Sequence, residues 1–191
     1  MNHLKIAMIG LDTSHVVAFA KLLHHTDDPW HVPGACIVAA FPGGSDDFAL
    51  SRDRVGGYTA RMRDEFEVEI ADSPEAAAAK ADAVLLESVD GRVHRAQFEK
   101  IAPFGKPVFI DKPFALSTAD AEAIVNLSES HGARLMSCSS LRYAAGLTGA
   151  LSDTSQGALI GADFFGPMSI EPTQPGFFWY GIHTAEMLVS A

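Results

Sequence analysis

The stretch that decides the fold is Lys5–Phe19, which reads KIAMIGLDTSHVVAF. It opens with KIAMIG, a short and almost wholly apolar run that is typical of a strand buried in a parallel sheet. From Ser14 to His25 the apolar residues recur at helical spacing, at Val16, Phe19, Ala20 and Leu23, which indicates a helix with one buried face. A buried strand joined to a helix through a tight turn at Gly10 is the repeating unit of a parallel α/β sheet.

The alternation of strand and helix continues along most of the chain. Strands are predicted at Ala35–Phe41, within FEVEI (66–70), at Asp82–Val89, within PVFID (107–111) and within ARLMSCS (133–139). Helices are predicted within 45–66 up to a break at Gly56-Gly57, from a Ser73-Pro74 start, over Val93–Pro103, and from Ser117 to Ser130 with Gly132 as the stop. Such regular alternation predicts a Rossmann-type, doubly wound parallel sheet with helices on both faces.

The pattern changes after residue 140. The segment GALIGADFFGPMSIEP (157–172) looks like antiparallel strand material, and YGIHTAEMLVSA (180–191) begins a helix. We therefore expect a Rossmann dinucleotide-binding domain over 1–140 and, over 141–191, either the incomplete start of an α+β second domain or a helix that packs against a partner.

Composition excludes several classes of function. The 191 residues have a formal net charge of −10, whereas nucleic-acid binding needs clustered Lys and Arg. The first ten residues hold too short an apolar run for a signal peptide or a membrane span, so we expect no membrane association. Cys36 and Cys138 lack metal-type spacing, which favours reduced thiols in the cytoplasm. The spacing of His24, His25 and His31 fits no zinc pattern, so we expect no metal site.

The turn after the first strand has the layout of a dinucleotide-binding turn, G-x-G-x-x-G, with only its first glycine kept. Asp12 and His15 stand at the second and third glycine positions. In one interpretation Asp12 or Thr13 caps the helix. In another, the Asp12 carboxylate occupies the anion site at the helix N-terminus in place of a phosphate. The candidate cofactor-binding residues here are Gly10, Asp12, Thr13, Ser14 and His15.

The end of the second strand bears on which dinucleotide would bind. NAD-binding folds usually place an Asp or Glu there, where it holds the ribose hydroxyls. Here the strand ends in AFPGGS (40–45), without an acid. Ser45, Arg52 and Arg54 follow, and they favour the additional phosphate of NADP slightly over NAD.

A charged pair follows the strand in GKPVFIDKPFALS (105–117). Asp111 and Lys112 come directly after the buried residues, which places them at the carboxyl end of the sheet, where open α/β folds bind ligands. Pro113 restricts the backbone of Lys112 to an extended conformation, so the direction of the ammonium group is defined.

Several segments, in the same order along the chain, resemble one family of enzymes. Asp111-Lys112-Pro113 matches a hallmark Glu-Lys-Pro, and the following FALS matches a family L-A-L-T segment. ESVDGRVHRAQF (87–98) is similar to a loop and helix with a His at position 94, GARLMSCSSLRYAAG (132–146) to a strand followed by an Arg-aromatic pair, and GIHTAEML (181–188) to a G-x-H-x-x-D helix. The chain thus resembles the glucose–fructose oxidoreductase, inositol dehydrogenase and MocA-like (Gfo/Idh/MocA) dehydrogenases.

The resemblance implies an NAD(P)-dependent oxidoreductase that transfers a hydride between a nicotinamide and a hydroxyl of a sugar, polyol or related compound. It implies that Lys112 polarises the substrate oxygen and that His183 is the general acid/base, with Tyr180 as a further proton-handling candidate. The implied substrate-binding residues are Lys112, Arg142 and His183. The implied cofactor-binding residues outside the first turn are Ser45, Asp90, His94, Asp111, Lys112 and Pro113.

The sequence also departs from the family pattern. Trp179 stands where the family often has an Asp one helical turn before the catalytic His, and Glu186 replaces the Asp that follows it. Family members are longer, and the resemblance implies that 141–191 are the incomplete start of their C-terminal domain for substrate binding and dimerisation. This puts catalysis by these 191 residues alone in question. The alternative function is a non-catalytic Rossmann-fold binding or interaction module, with Asp12 in the phosphate site. In either case we expect a cytoplasmic homo-oligomer.

Overall fold

The computed structural model describes residues 3–155 and 157–191. In these residues six strands form one parallel sheet: β1 (Leu4–Ile9), β2 (Ala35–Phe41), β3 (Glu69–Ile70), β4 (Ala83–Leu86), β5 (Val108–Ile110) and β6 (Leu135–Met136). Their order across the sheet is β3-β2-β1-β4-β5-β6, so the direction of winding reverses between β1 and β4. This is the Rossmann order, and the predicted fold class is confirmed.

The helices are α1 (His15–His24), α2 (Ala49–Asp64), α3 (Pro74–Ala79), α4 (His94–Ile101), α5 (Thr118–His131), α6 (Ala145–Ser152) and α7 (Phe177–Ser190). Two of the predicted helix starts have the expected cap. The Ser73 hydroxyl accepts a hydrogen bond from the Ala76 N–H, and the Ser117 hydroxyl accepts one from the Asp120 N–H. Gly132 ends α5 in the left-handed conformation, with φ at 66°. In the described residues no helix is both long and apolar enough to cross a membrane.

The core lies on both faces of the sheet because alternate residues of each strand point in opposite directions. Ile6 and Met8 of β1 pack under α1 and α2, whereas Ala7 and Ile9 pack against the layer formed by α3, α4 and α5. In the described residues, α1 and α2 leave part of this face of the sheet uncovered at β4 and β5. There an apolar groove of about 390 Å³ runs along the sheet, lined by Ile6, Phe19, Leu22, Leu23, Val32, Leu85 and Phe109.

The C-terminal segment is attached to the Rossmann domain through α7. Trp179 is buried and packs edge-to-face on Phe48 at 5.3 Å between ring centroids. Gln174, just before the helix, donates a 2.9 Å hydrogen bond to the carboxylate of Asp90. These contacts hold α7 over the carboxyl edge of the sheet.

Two sequence predictions about secondary structure were wrong. Helix α2 continues through Gly56 and Gly57 without a break, because its buried Met62 packs against the sheet and outweighs the low helix propensity of glycine. The segment 157–172 forms no strand in the described residues, since no sheet edge pairs with it and most of its side chains are exposed. The boundary at residue 140 stays a prediction.

Candidate functional site

The turn after β1 is built closely around Gly10. Its φ is +86°, and a Cβ at this position would lie 2.2 Å from the Ser88 Oγ. The Gly10 N–H donates to the carbonyl of Phe41 at the end of β2. This turn therefore requires glycine, both for its left-handed backbone and for the close approach to Ser88 in the loop after β4.

Asp12, at the second glycine position, points into the protein. Its side chain is 1% exposed and accepts hydrogen bonds from the Ser51 hydroxyl at 2.6 Å and from the Val89 N–H at 2.8 Å. Burial raises the pKa of this carboxyl, and the two hydrogen bonds oppose the rise. Both sequence interpretations of Asp12 were therefore wrong, because its carboxylate neither caps α1 nor lies at the helix N-terminus. Through Ser51 and Val89, it connects the turn to α2 and to the loop after β4.

The N-terminus of α1 presents free donors at the edge of the sheet. Ser14 is the N-cap residue and is exposed, and its side chain makes no capping hydrogen bond. In the described part of the chain, the backbone N–H groups of Thr13 and Ser14 have no acceptor. A helix N-terminus with free N–H groups, beside a glycine turn and the switch point of the sheet, fits the pyrophosphate of a dinucleotide.

His15, at the third glycine position, is turned toward the end of β5. Its Nδ1 lies 2.7 Å from Oδ2 of Asp111. Glu87, the residue after β4, lies beside this pair, and one ligand atom from each of the three residues falls within 4.8 Å of the other two. Glu87 is fully buried, and neither of its carboxylate oxygens has a hydrogen-bond partner among the described residues.

Glu87 and Asp111 continue one face of the sheet. Leu85 of β4 pairs with Phe109 of β5, so the next residues on the same side, Glu87 and Asp111, also lie side by side. Burial and the neighbouring charge of Asp111 raise the pKa of Glu87 well above its usual range. The apolar groove under Phe109 thus ends in an acidic cluster at the carboxyl edge.

Lys112, His183 and Tyr180 line one cavity of about 450 Å³ at this edge. His15, Asp111, Cys138 and Ser140 are also in its wall. The Lys112 ammonium lies 5.8 Å from the centre of the Trp179 ring, and the Tyr180 and His183 rings meet edge-to-face at 5.2 Å. The fold therefore brings Lys112 together with Tyr180 and His183, which lie one turn apart on α7.

His183 is held in one orientation by Ser139. Its Nδ1 lies 2.6 Å from the Ser139 Oγ, which leaves Nε2 as the ring nitrogen available to a ligand. Burial and the positive charge of Lys112 lower the pKa of His183 below its usual 6.5. The ring is therefore mainly neutral at pH 7 and can accept a proton.

Several residues predicted to bind the cofactor outside the first turn have partners inside the protein. Asp90 is fully buried and binds Arg92, Gln174 and the Ser45 side chain. His94 is also buried, with Nε2 2.7 Å from the Ser88 carbonyl and Nδ1 3.2 Å from the Phe114 carbonyl. Arg52 is paired with Asp53 and with the Asp46 carbonyl. Asp90 and His94 thus connect loops around the site.

A second cavity of about 500 Å³ adjoins the first through Lys112 and Cys138. Glu186 of α7 lies in its wall, and Arg142 donates a 3.1 Å hydrogen bond to the Glu186 carboxylate. Arg142, predicted to bind substrate, therefore has an internal partner beside the site.

A comparison with protein-family models matches residues 4–138 to an oxidoreductase family with an NAD-binding Rossmann fold, Gfo/Idh/MocA. The chain belongs to this family. The match covers β1 to β6 and includes the Asp111-Lys112-Pro113 motif, so the family resemblance seen in the sequence is confirmed. No curated protein matches the chain.

Solved structures share the fold. A Klebsiella pneumoniae protein described as an oxidoreductase is 24% identical (TM-score 0.68; 99% of this chain and 50% of that one). An NAD-binding protein from Listeria innocua is 18% identical (TM-score 0.67; 99% and 54%), and myo-inositol 2-dehydrogenase from Lactobacillus plantarum is 19% identical (TM-score 0.61; 81% and 41%). The chain thus spans about half the length of these solved chains, or less.

Sequence reasoning missed three residues that shape the site. Glu87 was the easiest to find, since an acid directly follows the apolar run of β4. Ser139, which orients His183, and Gln174, which binds Asp90, had no local signal, because both act through contacts distant in sequence.

Proposed function

We propose that this chain is the nucleotide-binding part of an NAD(P)-dependent oxidoreductase that acts on a hydroxyl of a sugar, a polyol or a related compound. The observation that supports the proposal is the convergence of Lys112, His183 and Tyr180 on one cavity beside the N-terminus of α1. Membership of an NAD-binding oxidoreductase family supports the choice of cofactor. The nicotinamide, when bound, supplies or accepts the hydride.

Residues of the cavity would stabilise charge on the substrate oxygen and transfer its proton. The Lys112 ammonium stabilises negative charge that develops on the substrate oxygen. His183, whose lowered pKa keeps it neutral, takes the hydroxyl proton at Nε2 during oxidation and returns it during reduction. Tyr180 packs against the His183 ring and limits its rotation. Lys112 and His183 also form the substrate-binding wall.

The dinucleotide would lie along the carboxyl edge between β1 and β4. The N–H groups of Thr13 and Ser14 would bind its pyrophosphate, with Gly10 allowing the turn. His15, Asp111, Lys112 and Pro113 would border the nicotinamide half. The proposal includes NADP as well as NAD because β2 ends without an acid for the ribose hydroxyls.

The substrate class rests on the family and on one neighbour in fold, a myo-inositol 2-dehydrogenase. The cavity wall supports it, since Asp111, Lys112, Ser140, Tyr180 and His183 offer several hydrogen-bonding groups to a polyhydroxyl ligand.

The first experiment is a calorimetric titration of the chain with NADH and, separately, with NADPH. We expect saturable binding of one nucleotide per chain, and Lys112→Met should weaken it at least about fivefold, roughly 1 kcal/mol. Lys100→Met is the matched control, because Lys100 is exposed on α4 away from the cavity. Failure of the folded chain to bind either nucleotide would overturn the proposal in favour of a non-catalytic module.

The predicted homo-oligomer stays a prediction. Large apolar side chains are exposed in the C-terminal segment, including Phe165 at 89%, Phe177 at 75% and Val189 at 74%. Exposed apolar surface of this kind is typical of association sites. Light scattering after gel filtration should give a mass above the monomer, and a monomeric mass at micromolar concentration would contradict the prediction.

A further inference from the structure

We propose that His15, Glu87 and Asp111 form a binding site for a divalent transition-metal ion such as Zn²⁺. Three different elements contribute the three ligands: the start of α1, the end of β4 and the end of β5. The candidate ligand atoms already lie within 4.8 Å of one another. This proposal goes beyond the dehydrogenase function and also departs from the sequence analysis, which expected no metal and considered other histidines.

The strongest observation is the state of Glu87. It is completely buried, and both of its oxygens lack a hydrogen-bond partner in the described structure. Buried carboxyl groups in proteins are normally paired or bound to a metal, because an unpaired one costs folding free energy. The contact between His15 and Asp111 accounts for those two side chains and leaves Glu87 without a partner. A cation among the three would satisfy all of them.

The chemistry of the donor set indicates which ion fits. One imidazole and two carboxylates favour a first-row transition ion over Mg²⁺ or Ca²⁺, which prefer oxygen ligands throughout. Two carboxylates also balance the charge of a divalent ion. Catalytic zinc sites use three protein ligands of these types and keep a fourth position open.

Binding an ion requires the three ligand atoms, which lie within 4.8 Å of one another, to shift, by up to about 1.8 Å for the widest pair. Ligand atoms that share an ion at about 2.1 Å lie about 3.0–3.4 Å apart. His15 Nδ1 and Asp111 Oδ2 are 2.7 Å apart, so these two atoms would move apart by about half an ångström. His15 is on the first turn of a helix and its side chain is 37% exposed, which gives the ring room to move and an ion a route of entry.

The site would face the cavity of Lys112 and His183. His15 and Asp111 both lie in the wall of that cavity. An ion bound to them would therefore present its open position to the cavity, where a water molecule or a substrate oxygen could bind. Two of the histidines considered in the sequence analysis have hydrogen-bond partners elsewhere, since His24 Nε2 accepts from the Ile37 N–H and His31 Nδ1 lies 3.0 Å from the Leu22 carbonyl.

The test is a titration of the EDTA-stripped chain with Zn²⁺ against a chromophoric chelator, without any nicotinamide nucleotide. We expect one tight site per chain, weakened at least about 100-fold by Glu87→Gln and by His15→Gln. Matched controls are Glu122→Gln and His131→Gln, which change exposed residues of the same types on α5. Circular dichroism checks that each variant is folded, and His15→Gln keeps the test valid if Glu87→Gln is not.

X-ray absorption of the zinc-loaded chain supplies a second readout. We expect a first shell of oxygen and nitrogen with one imidazole and no sulfur. Binding that is weak, or equal in Glu87→Gln, His15→Gln and the controls, would overturn the proposal, as would a sulfur ligand, which would place the ion on Cys36 or Cys138. Because the assay contains no nucleotide, its result is independent of the NADH and NADPH titrations.

Discussion

Asp90 and Asp47 bind the same guanidinium, that of Arg92, from opposite environments. Asp90 has a side chain that is 1% exposed and accepts hydrogen bonds from Arg92 at 2.7 Å and from Gln174 at 2.9 Å. Asp47 accepts from Arg92 at 2.8 Å, but its side chain is 69% exposed. Comparing Asp90→Asn with Asp47→Asn therefore shows how much more a buried charge network contributes to the free energy of unfolding than a solvated ion pair does.

The expected cost of Asp90→Asn follows from its pKa. Burial alone would raise the pKa of Asp90, but the hydrogen bonds from Arg92, Gln174 and Ser45 outweigh it and lower the pKa from 3.8 to about 2. A difference of this size between the folded and unfolded states corresponds to about 2 kcal/mol of stability at pH 7. For a chain of this length the unfolding midpoint should fall by about 4–8 °C.

The direction of this pKa shift determines how the stability contributed by Asp90 depends on pH. Because the pKa is lower in the folded state, the Asp90 carboxylate stabilises the protein above its unfolded pKa of 3.8, and this contribution is lost as the pH falls through about 2. Urea unfolding should therefore show the full difference between wild type and Asp90→Asn at pH 7, and about half of it near pH 3.

Asp47→Asn is the control, and its unfolding midpoint should stay close to that of wild type, since solvent screens the exposed pair. The reasoning would be refuted by equal losses in the two variants at pH 7, or by a loss in Asp90→Asn that does not change between pH 7 and pH 3.

Three further results are expected. Glu87→Met should stabilise the EDTA-treated protein by about 1–3 kcal/mol in urea unfolding, because it removes a buried carboxyl without partners; a destabilised variant would reveal a partner for Glu87. Gly10→Ala should lower the free energy of unfolding by about 3 kcal/mol or more, since its Cβ meets Ser88. Gly34→Ala, at a similar φ in open space, should lower it by about 1 kcal/mol, and similar losses in the two variants would contradict the close packing at Gly10. A proton NMR titration of His183 should give a pKa below 6.5 that rises in Lys112→Met, where a positive charge has been removed; an unchanged pKa would place Lys112 too far away.

The sheet was predictable because its signals are local. The apolar runs of β1, β2, β4 and β5 each end at a Gly, Pro or charged residue, and Ser73 and Ser117 mark helix starts through hydrogen bonds to residues three positions away. The two failures in secondary structure came from tertiary effects. Packing of Met62 against the core stabilises α2 across its two glycines, and the strand-like residues of 157–172 pair with no sheet edge in the described residues.

The candidate site was predictable in part. Lys112 and His183 were identified from their motifs, because each lies in a short segment with a recognisable order of residues. What each side chain contacts was not predictable, since the partners lie far away in sequence. The Asp12 carboxylate binds the backbone 77 residues away, and the His15 ring binds Asp111 across 96 residues.

The two replaced glycines therefore have a common explanation in the fold. Asp12 and His15 both direct their side chains away from the N-terminus of α1, one toward Ser51 and Val89 and the other toward Asp111. The donors that would bind a phosphate are the backbone N–H groups of Thr13 and Ser14, and neither the Asp12 nor the His15 side chain accepts from them. Of the three glycine positions in this turn, glycine is needed at position 10, where a Cβ would meet Ser88. The proposed phosphate site at this turn is therefore compatible with side chains at both positions, since these side chains bind the loop after β4 and the end of β5.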